Sequence, residues 1–167
     1  MEQKKQVRIS VRALVEFVLR SGDIDNRRSG AAQKDAMAAG TRIHKKIQKR
    51  MGGNYRAEVP LKYTALDEEE DIELLVEGRA DGIFEEDGIV TIDEIKGVYM
   101  DLERLAEPVA VHMAQAMCYG YFYCCDRDLD GVRIQLTYCN LDTIELTKTA
   151  FLGNLKYFRE TFSFAEL

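Results

Sequence analysis

The chain has 167 residues, 46% of them hydrophobic and 31% charged, with a net charge of −6. This length is about that of one domain and is enough to bury a core, while the negative charge by itself argues against a nucleic-acid binder. No apolar run approaches the roughly 18 residues of a membrane span, and the N-terminus lacks a signal-peptide core, so a cytoplasmic protein with no membrane partner is predicted.

The charge is divided unevenly along the chain. Residues 1–50 contain 13 Lys and Arg against 5 Asp and Glu, a net of +8, whereas residues 51–167 contain 10 against 24, a net of −14. A basic part beside an acidic part favours a phosphate-binding surface next to a metal site. Solvated helix faces are the alternative explanation for such runs.

Two helices are predicted in the basic part. Ser10 can cap a helix over 11–20, whose apolar face is made of leucines and valines. A second helix is predicted over 31–51, with an isoleucine stripe on its buried face and His44 beside that stripe. A histidine at the edge of an apolar stripe is either a structural residue or a ligand, and the structural role is the more common one.

Three strands are predicted next, over 56–66, 72–84 and 89–98. Pro60 favours a position at the edge of the sheet for the first of them. The acidic run 67–71 is interpreted as a solvated hairpin loop rather than a metal site. The corner at Asp87-Gly88 is typical of a tight turn, so the second and third strands should form a hairpin.

This hairpin has charged side chains in the middle of apolar strands. Alternation places Glu94 and Lys96 on one face of the third strand and Asp93 and Ile95 on the other. Strand pairing can therefore bring Asp81, Glu94 and Lys96 together at one end of the sheet. Two carboxylates can hold a hard divalent cation, and an ammonium beside them can position an anion. An ordinary salt bridge on a solvated face is the alternative.

The remaining elements are a helix, a strand and a final helix, predicted over 108–123, 132–140 and 149–158. On the first of these helices, Gln115 and Tyr119 lie one turn apart, either at the edge of the core or facing a ligand. The run 126–131 matches the first half of a calcium-binding loop. Thr137 stands where that loop needs a Glu, and a strand pattern follows, so calcium binding is rejected.

Five pieces of sequence, in chain order and each on the expected element, resemble the RecB-like branch of the PD-(D/E)XK nucleases. This branch includes the RecB and AddB nuclease domains and the CRISPR-associated RecB-like exonucleases. A fainter similarity of the whole chain is to nuclease domains that precede DinG-like helicases. The resemblance covers roughly residues 40–140. Its pieces are His44, Glu58, Gly78-x-x-Asp81, Asp93-Glu94-Ile95-Lys96-Gly97 and Gln115-x-x-x-Tyr119.

The resemblance implies an α/β fold with a restriction-endonuclease-like core, in which a central mixed sheet of about four to five strands is flanked by helices. A single nuclease domain over 1–167 is expected. Its basic helical part, 1–52, should pack on a sheet core over 55–160. Whether this domain stands alone or begins a longer helicase–nuclease stays open.

The resemblance also implies an enzyme, a Mg²⁺- or Mn²⁺-dependent deoxyribonuclease of exonuclease type, acting on single-stranded or duplex DNA ends. A non-catalytic DNA-binding module that docks a helicase is the alternative. The expected metal ligands are His44, Asp81, Glu94 and the backbone carbonyl of Ile95, and the expected catalytic residues are Asp81, Glu94 and Lys96. Gln115 and Tyr119 are expected to position the substrate, and Glu58 is expected as an auxiliary acid.

The cysteines depart from this branch. Many of its members carry four cysteines for an iron–sulfur cluster, one before the sheet and three beyond the last helix. Here the four are Cys118, Cys124, Cys125 and Cys139, which match neither that arrangement nor a zinc-type spacing. We therefore expect buried, reduced thiols and no iron–sulfur cluster.

Overall fold

The computed structural model describes residues 4–20, 30–142 and 155–167. These residues form a mixed α/β fold in which helices flank one six-stranded sheet. The helices are α1 (Val11–Val18), α2 (Gly30–Arg50) and α3 (Ala110–Arg127), and the strands are β1 (Lys5–Ser10), β2 (Arg56–Asp67), β3 (Ile72–Glu86), β4 (Ile89–Val98), β5 (Gly131–Asn140) and β6 (Leu155–Ser163).

Strand β3 is the centre of the sheet because three other strands pair with it. Along one edge it pairs antiparallel with β2. Along the other edge its first half pairs in parallel with β1 and its second half pairs antiparallel with β4. The sheet continues from β4 to a parallel β5 and from β5 to an antiparallel β6. The predicted α/β fold with a mixed sheet flanked by helices is confirmed.

The predicted central hairpin is present, and its ladder ends early. Asp87 and Gly88 both have positive φ angles, 52° and 77°, as a two-residue hairpin turn requires. From that turn the ladder of β3 and β4 runs as far as the pair Gly82 and Asp93. Asp81 and Glu94 would be the next pair in register, but the ladder does not include them. An opening between the two strands therefore begins where these carboxylates lie.

Two hydrophobic cores cover the two faces of the sheet. The larger includes Ile92 and Ile134 and is closed by α1 and α3. The smaller joins Ile43 and Ile47 of α2 to Ile95 of β4. Because Ile92 and Ile95 lie three residues apart on one strand, they face opposite sides, as alternation predicts. Helix α2 is thereby fixed on one side of β4 and α3 on the other.

The N-terminal elements agree with the sequence in part. Ser10 caps α1 as predicted, its Oγ accepting a hydrogen bond from the Ala13 amide at 3.0 Å. Strand β1 was not predicted, because nearly all of its side chains are exposed and no buried face marks it. Between β2 and β3, the acidic run forms an exposed hairpin turn as predicted, and Asp67 Oδ1 accepts hydrogen bonds from two amides of that turn.

The C-terminal prediction was wrong where the structure describes it. A helix was expected over 149–158, but 155–158 belong to β6, while 143–154 lie outside the described residues. Leu155, Phe158 and Phe162 are spaced by three and four, which imitates a helical stripe. Pairing with β5 places them in a strand instead. Within the described residues, no helix is long and apolar enough to cross a membrane.

Candidate metal centre

The centre of the site is the contact between His44 and Asp81. Burial of the α2 isoleucines turns His44 toward the edge of β3. His44 Nδ1 lies 3.2 Å from Asp81 Oδ1, and the amide of Ile95 donates a hydrogen bond to Asp81 Oδ2 at 2.7 Å. The Asp81 carboxylate, 7% exposed, is therefore held between a helix and β4 at the point where the β3–β4 ladder stops.

Glu58 completes a compact group with these two residues. It lies in register opposite Asp81 on β2, outside the regular pairing, with a φ of 56°. Gln48, one turn after His44, donates hydrogen bonds at 2.9 Å both to Glu58 Oε1 and to the Asp81 carbonyl oxygen. One ligand atom from each of His44, Glu58 and Asp81 lies within 4.8 Å of the others. An imidazole and two carboxylates at this separation can hold a divalent cation.

Glu94 lies near this group, but its side chain contacts Lys96. It is 3% exposed, and its Oε1 lies 2.9 Å from Lys96 Nζ. Its Oε2 is buried and has no hydrogen-bond partner among the described residues. Burial, followed by the negative charge of Asp81, raises the pKa of Glu94 to about 8, although Lys96 and His44 lower it in part. A buried carboxylate oxygen without a partner costs free energy, which a cation at this position would recover.

The nearby acids also affect the pKa of His44. Burial acts to lower the pKa of His44, but the hydrogen bond and the charge of Asp81 outweigh it, so the pKa is raised. Asp81 therefore favours the protonated form of the His44 imidazole. A metal ion has to displace that proton, because only neutral imidazole is a ligand.

Helix α3 reaches Lys96 through Gln115 and reaches β3 through Tyr119. Lys96 Nζ donates to Gln115 Oε1 at 3.0 Å. Burial raises the pKa of the Tyr119 hydroxyl to about 12, while the nearby Gln115 side chain and Arg79 backbone act to lower that pKa. Gly78 leaves the space for that hydroxyl, because a Cβ at this position would lie 2.6 Å from Tyr119 Oη. Gln115 and Tyr119 are thus buried residues beside the site, Gln115 in contact with Lys96 and Tyr119 in contact with β3. That they position the substrate stays a prediction.

A second polar cluster lies on the opposite face of β4. Asp93 is fully buried and accepts hydrogen bonds from Tyr55 Oη at 2.8 Å, Thr137 Oγ1 at 2.6 Å and Gln135 Nε2 at 3.2 Å. Arg159 of β6 donates to Gln135 Oε1 at 2.7 Å. Burial raises the pKa of Asp93, and the three hydrogen bonds only partly oppose this. Asp93 therefore belongs to a structural network, as the predicted alternation of β4 indicates.

The metal group lies in an open cleft of about 540 Å³ between α2 and the β2–β3 pair. Two cationic side chains, Lys45 and Arg79, border it together with the acids and amides. Sequence reasoning did not single out Gln48 or Lys45 for this site. For Gln48 the available signal was its spacing of four residues from His44, which places both on the same edge of α2. Lys45, next to His44 in sequence, carries no such signal. The cleft is lined by Thr41, His44, Lys45, Gln48, Glu58, Arg79 and Asp81.

The four cysteines are free thiols on α3 and β5. The expected burial is confirmed for Cys124 and Cys139, is only partial for Cys118 and is wrong for Cys125, which is exposed. The expectation of no iron–sulfur cluster stays a prediction.

Comparison with known proteins adds information on the fold. No protein-family model matches the chain, and no curated protein matches its sequence. Among solved structures, that of SSO0001 aligns with a TM-score of 0.56 and 18% sequence identity, over 95% of this chain and 67% of that one. At this identity the similarity shows a shared fold alone, so function has to be argued from the site.

Proposed function

We propose that the protein is a metal-dependent deoxyribonuclease of the PD-(D/E)XK type, similar to the RecB-like exonucleases, that hydrolyses phosphodiester bonds. The observation that carries the proposal is the environment of the buried Glu94 side chain. Its Oε2 is buried and unpartnered, its Oε1 holds Lys96, and it lies in the electrostatic field of His44 and Asp81. A structural salt bridge would not need an unpartnered carboxylate oxygen beside a second buried carboxylate.

The donor set fits Mg²⁺ or Mn²⁺. Hard carboxylate oxygens suit both ions, and the single imidazole makes Mn²⁺ somewhat the better match. His44, Asp81 and Glu94 would hold the ion, with Glu58 within reach of the first two and the Ile95 carbonyl expected from the family resemblance. A bound ion would supply a water of lowered pKa and would neutralise charge on the phosphate.

The chain's own residues provide the remaining functions. Lys96 donates from one ammonium to both Glu94 and Gln115, so its charge is held in a fixed place in a buried site. An ammonium held in this way stabilises negative charge that develops on a phosphate oxygen, and this effect requires the protonated form. The Ile95 amide and Gln48 fix the orientation of the two acids of the metal group, which lowers the cost of organising the site.

The test is incubation of labelled single-stranded and duplex DNA with Mg²⁺, Mn²⁺ or EDTA. We expect cleavage with either ion and none in EDTA. Linear but not circular single-stranded DNA should be degraded if the enzyme is an exonuclease. Lys96→Ala should lower the cleavage rate by about 10²–10³-fold. Calorimetric titration should show that the variant still binds the metal ion.

Lys5→Ala, at an exposed position of β1, is the control for the loss of one lysine. Cleavage in EDTA, or a Lys96→Ala variant as active as the control, would refute the enzyme assignment. DNA binding without any cleavage in the wild-type protein would favour the alternative, a non-catalytic module that serves a helicase.

A further inference from the structure

The second half of α2 is strongly basic and lies beside the cleft. Residues 38–50 include five Lys or Arg and no Asp or Glu. Lys45 borders the cleft directly, and Lys49 follows one turn later on the same edge of the helix. Both side chains are exposed, and neither has a hydrogen-bond or ion-pair partner among the described side chains of residues 4–20, 38–142 and 155–167. Unpaired cations on this edge are available to an anion.

Arg79 is the cation on the opposite wall of the cleft. Its Nε lies 3.9 Å from Glu58 Oε2, a loose contact between largely exposed groups. Arg79 also borders a second open cleft, of about 590 Å³, which continues along β2 and β3. The carboxylates of the metal group therefore lie between a lysine edge on one side and an arginine on the other.

A small phosphate ester would fill only the space over the carboxylates and would leave the two walls unused. Lys45 and Lys49 are separated by about 6 Å along the helix axis, which is comparable to the step between neighbouring phosphates of an extended strand. A chain of phosphates can therefore contact the scissile position and both walls together. The absence of acidic residues from 38–50 also leaves the positive charge of Lys45 and Lys49 uncompensated on this edge of an otherwise acidic protein.

We propose that Lys45 and Lys49 on one wall and Arg79 on the other bind the phosphates on the two sides of the scissile phosphate. This inference rests on the proposed nuclease function, and it adds the residues that select a strand and the path that the strand follows across the cleft.

The helix offers a matched control. Lys46 is next to Lys45 in sequence but lies on another side of α2, close enough to Cys139 of β5 for its charge to act on that thiol. Lys45→Ala, Lys49→Ala and Lys46→Ala each remove the same charge from the same helix at an exposed position. Only the first two should matter if the cleft edge binds phosphates.

The experiment measures the affinity for a single-stranded oligonucleotide in Ca²⁺ at salt concentrations between 0.1 M and 1 M. Each phosphate contact contributes about 0.7 to the slope of log affinity against log salt. Lys45→Ala and Lys49→Ala should each reduce the slope by that amount and weaken binding about fivefold at 0.1 M relative to 1 M salt. Arg79→Ala should reduce the slope and the affinity by similar amounts, whereas Lys46→Ala should keep the slope and the affinity of the wild-type protein.

Equal losses in all three lysine variants would overturn the proposal, because they would report net charge alone. Equal competition by poly-glutamate would also overturn it, because the edge would then bind any polyanion. The experiment does not depend on cleavage. If the wild-type protein cleaves no DNA but the variants lose affinity as predicted, the phosphate-binding edge is retained and the nuclease assignment is refuted. If the protein cleaves DNA but the variants bind it with wild-type affinity, the nuclease assignment is retained and the phosphate-binding edge is refuted.

Discussion

Gln115 Oε1 accepts a hydrogen bond from Lys96 Nζ at 3.0 Å, so a residue of α3 holds the ammonium that β4 presents to the site. Gln115 is only 8% exposed, and Tyr119, which its side chain contacts, is 4% exposed. Neither side chain offers a surface on which a base could stack. Their position favours a role through Lys96, in contrast to the direct substrate contact that the family resemblance implies.

Gln115→Ala should therefore lower kcat rather than weaken DNA binding. Without the Gln115 oxygen, Lys96 keeps Glu94 as a partner but loses the contact that aims it, and misplacement of a catalytic group can reduce the rate by on the order of 10²-fold. Steady-state kinetics with DNA, combined with DNA affinity in Ca²⁺, separates the two roles. A rise in Kd with kcat unchanged would show direct substrate contact, and a lower Tm with normal turnover would show a purely structural residue. Gln6→Ala, at an exposed position of β1, is the control.

His44→Ala should lower metal affinity with little loss of fold stability. The His44 imidazole is partly exposed, and Asp81 keeps its hydrogen bond from the Ile95 amide when the imidazole is removed. A buried structural histidine would instead contribute about 1–3 kcal/mol to stability. Calorimetric titration with Mn²⁺ and thermal melts of the same variant measure both quantities. Wild-type metal affinity with a depressed Tm would return His44 to a structural role, and Lys46→Ala on the same helix is the control.

Metal binding should release a proton from Glu94. Because the pKa of Glu94 is raised to about 8 in the metal-free protein, the carboxyl is largely protonated at neutral pH and must ionise to bind a cation. Apparent Mn²⁺ affinity should rise by about tenfold per pH unit up to pH 8 and then level off. His44, whose pKa is also raised, adds to this slope at lower pH. The slope near pH 8 should persist in His44→Ala and disappear in Glu94→Gln.

The same shift has a consequence for the stability of the metal-free protein. A carboxyl whose pKa is higher in the folded than in the unfolded state contributes stability below the unfolded pKa and loses it as the pH rises through the folded pKa. For Glu94 this window extends from about 4.5 to about 8. The Tm of the metal-free protein should fall across that window, more steeply than the Tm of Glu94→Gln. Equal pH profiles for the two proteins would contradict the raised pKa.

The local signals of the sequence were sufficient for the hairpin and for the faces of β4. Turn chemistry at Asp87-Gly88 and alternation along the strand are properties of a few neighbouring residues, and both are present in the structure. The edge strands β1 and β6 were harder to predict from the sequence. β1 is exposed on almost all positions, and β6 carries apolar residues at helical spacing, so neither has the two-residue period that identifies a half-buried strand.

The details of the site depend on three-dimensional relationships that no local pattern contains. The ladder of β3 and β4 ends before Asp81 and Glu94 can pair, and Glu58 turns toward Asp81 through a positive φ angle. Gln48 then contacts both walls of the site across 10 and 33 residues of sequence. Spacing alone indicated that Asp81, Glu94 and Lys96 come together. It could not indicate that Glu58 forms a compact group with His44 and Asp81.

Asp93 provides the last prediction, because it is adjacent to Glu94 in sequence and has the opposite role. Its carboxylate accepts hydrogen bonds from Tyr55, Thr137 and Gln135 on the α2 side of the sheet, where no described residue of the metal group contacts it. Asp93→Ala leaves these buried donors without an acceptor and should reduce the free energy of unfolding by about 3–5 kcal/mol. Asp93→Asn keeps one acceptor oxygen and should lose less stability.

Because burial raises the pKa of Asp93, its replacement by Asn should also flatten the acidic part of the profile of stability against pH. Folded Asp93→Asn should bind Mn²⁺ with wild-type affinity, which urea unfolding and metal titration of the same preparation can show. Lost metal affinity in that variant, or wild-type stability in Asp93→Ala, would mean that the two neighbouring acids of β4 have been assigned the wrong way round.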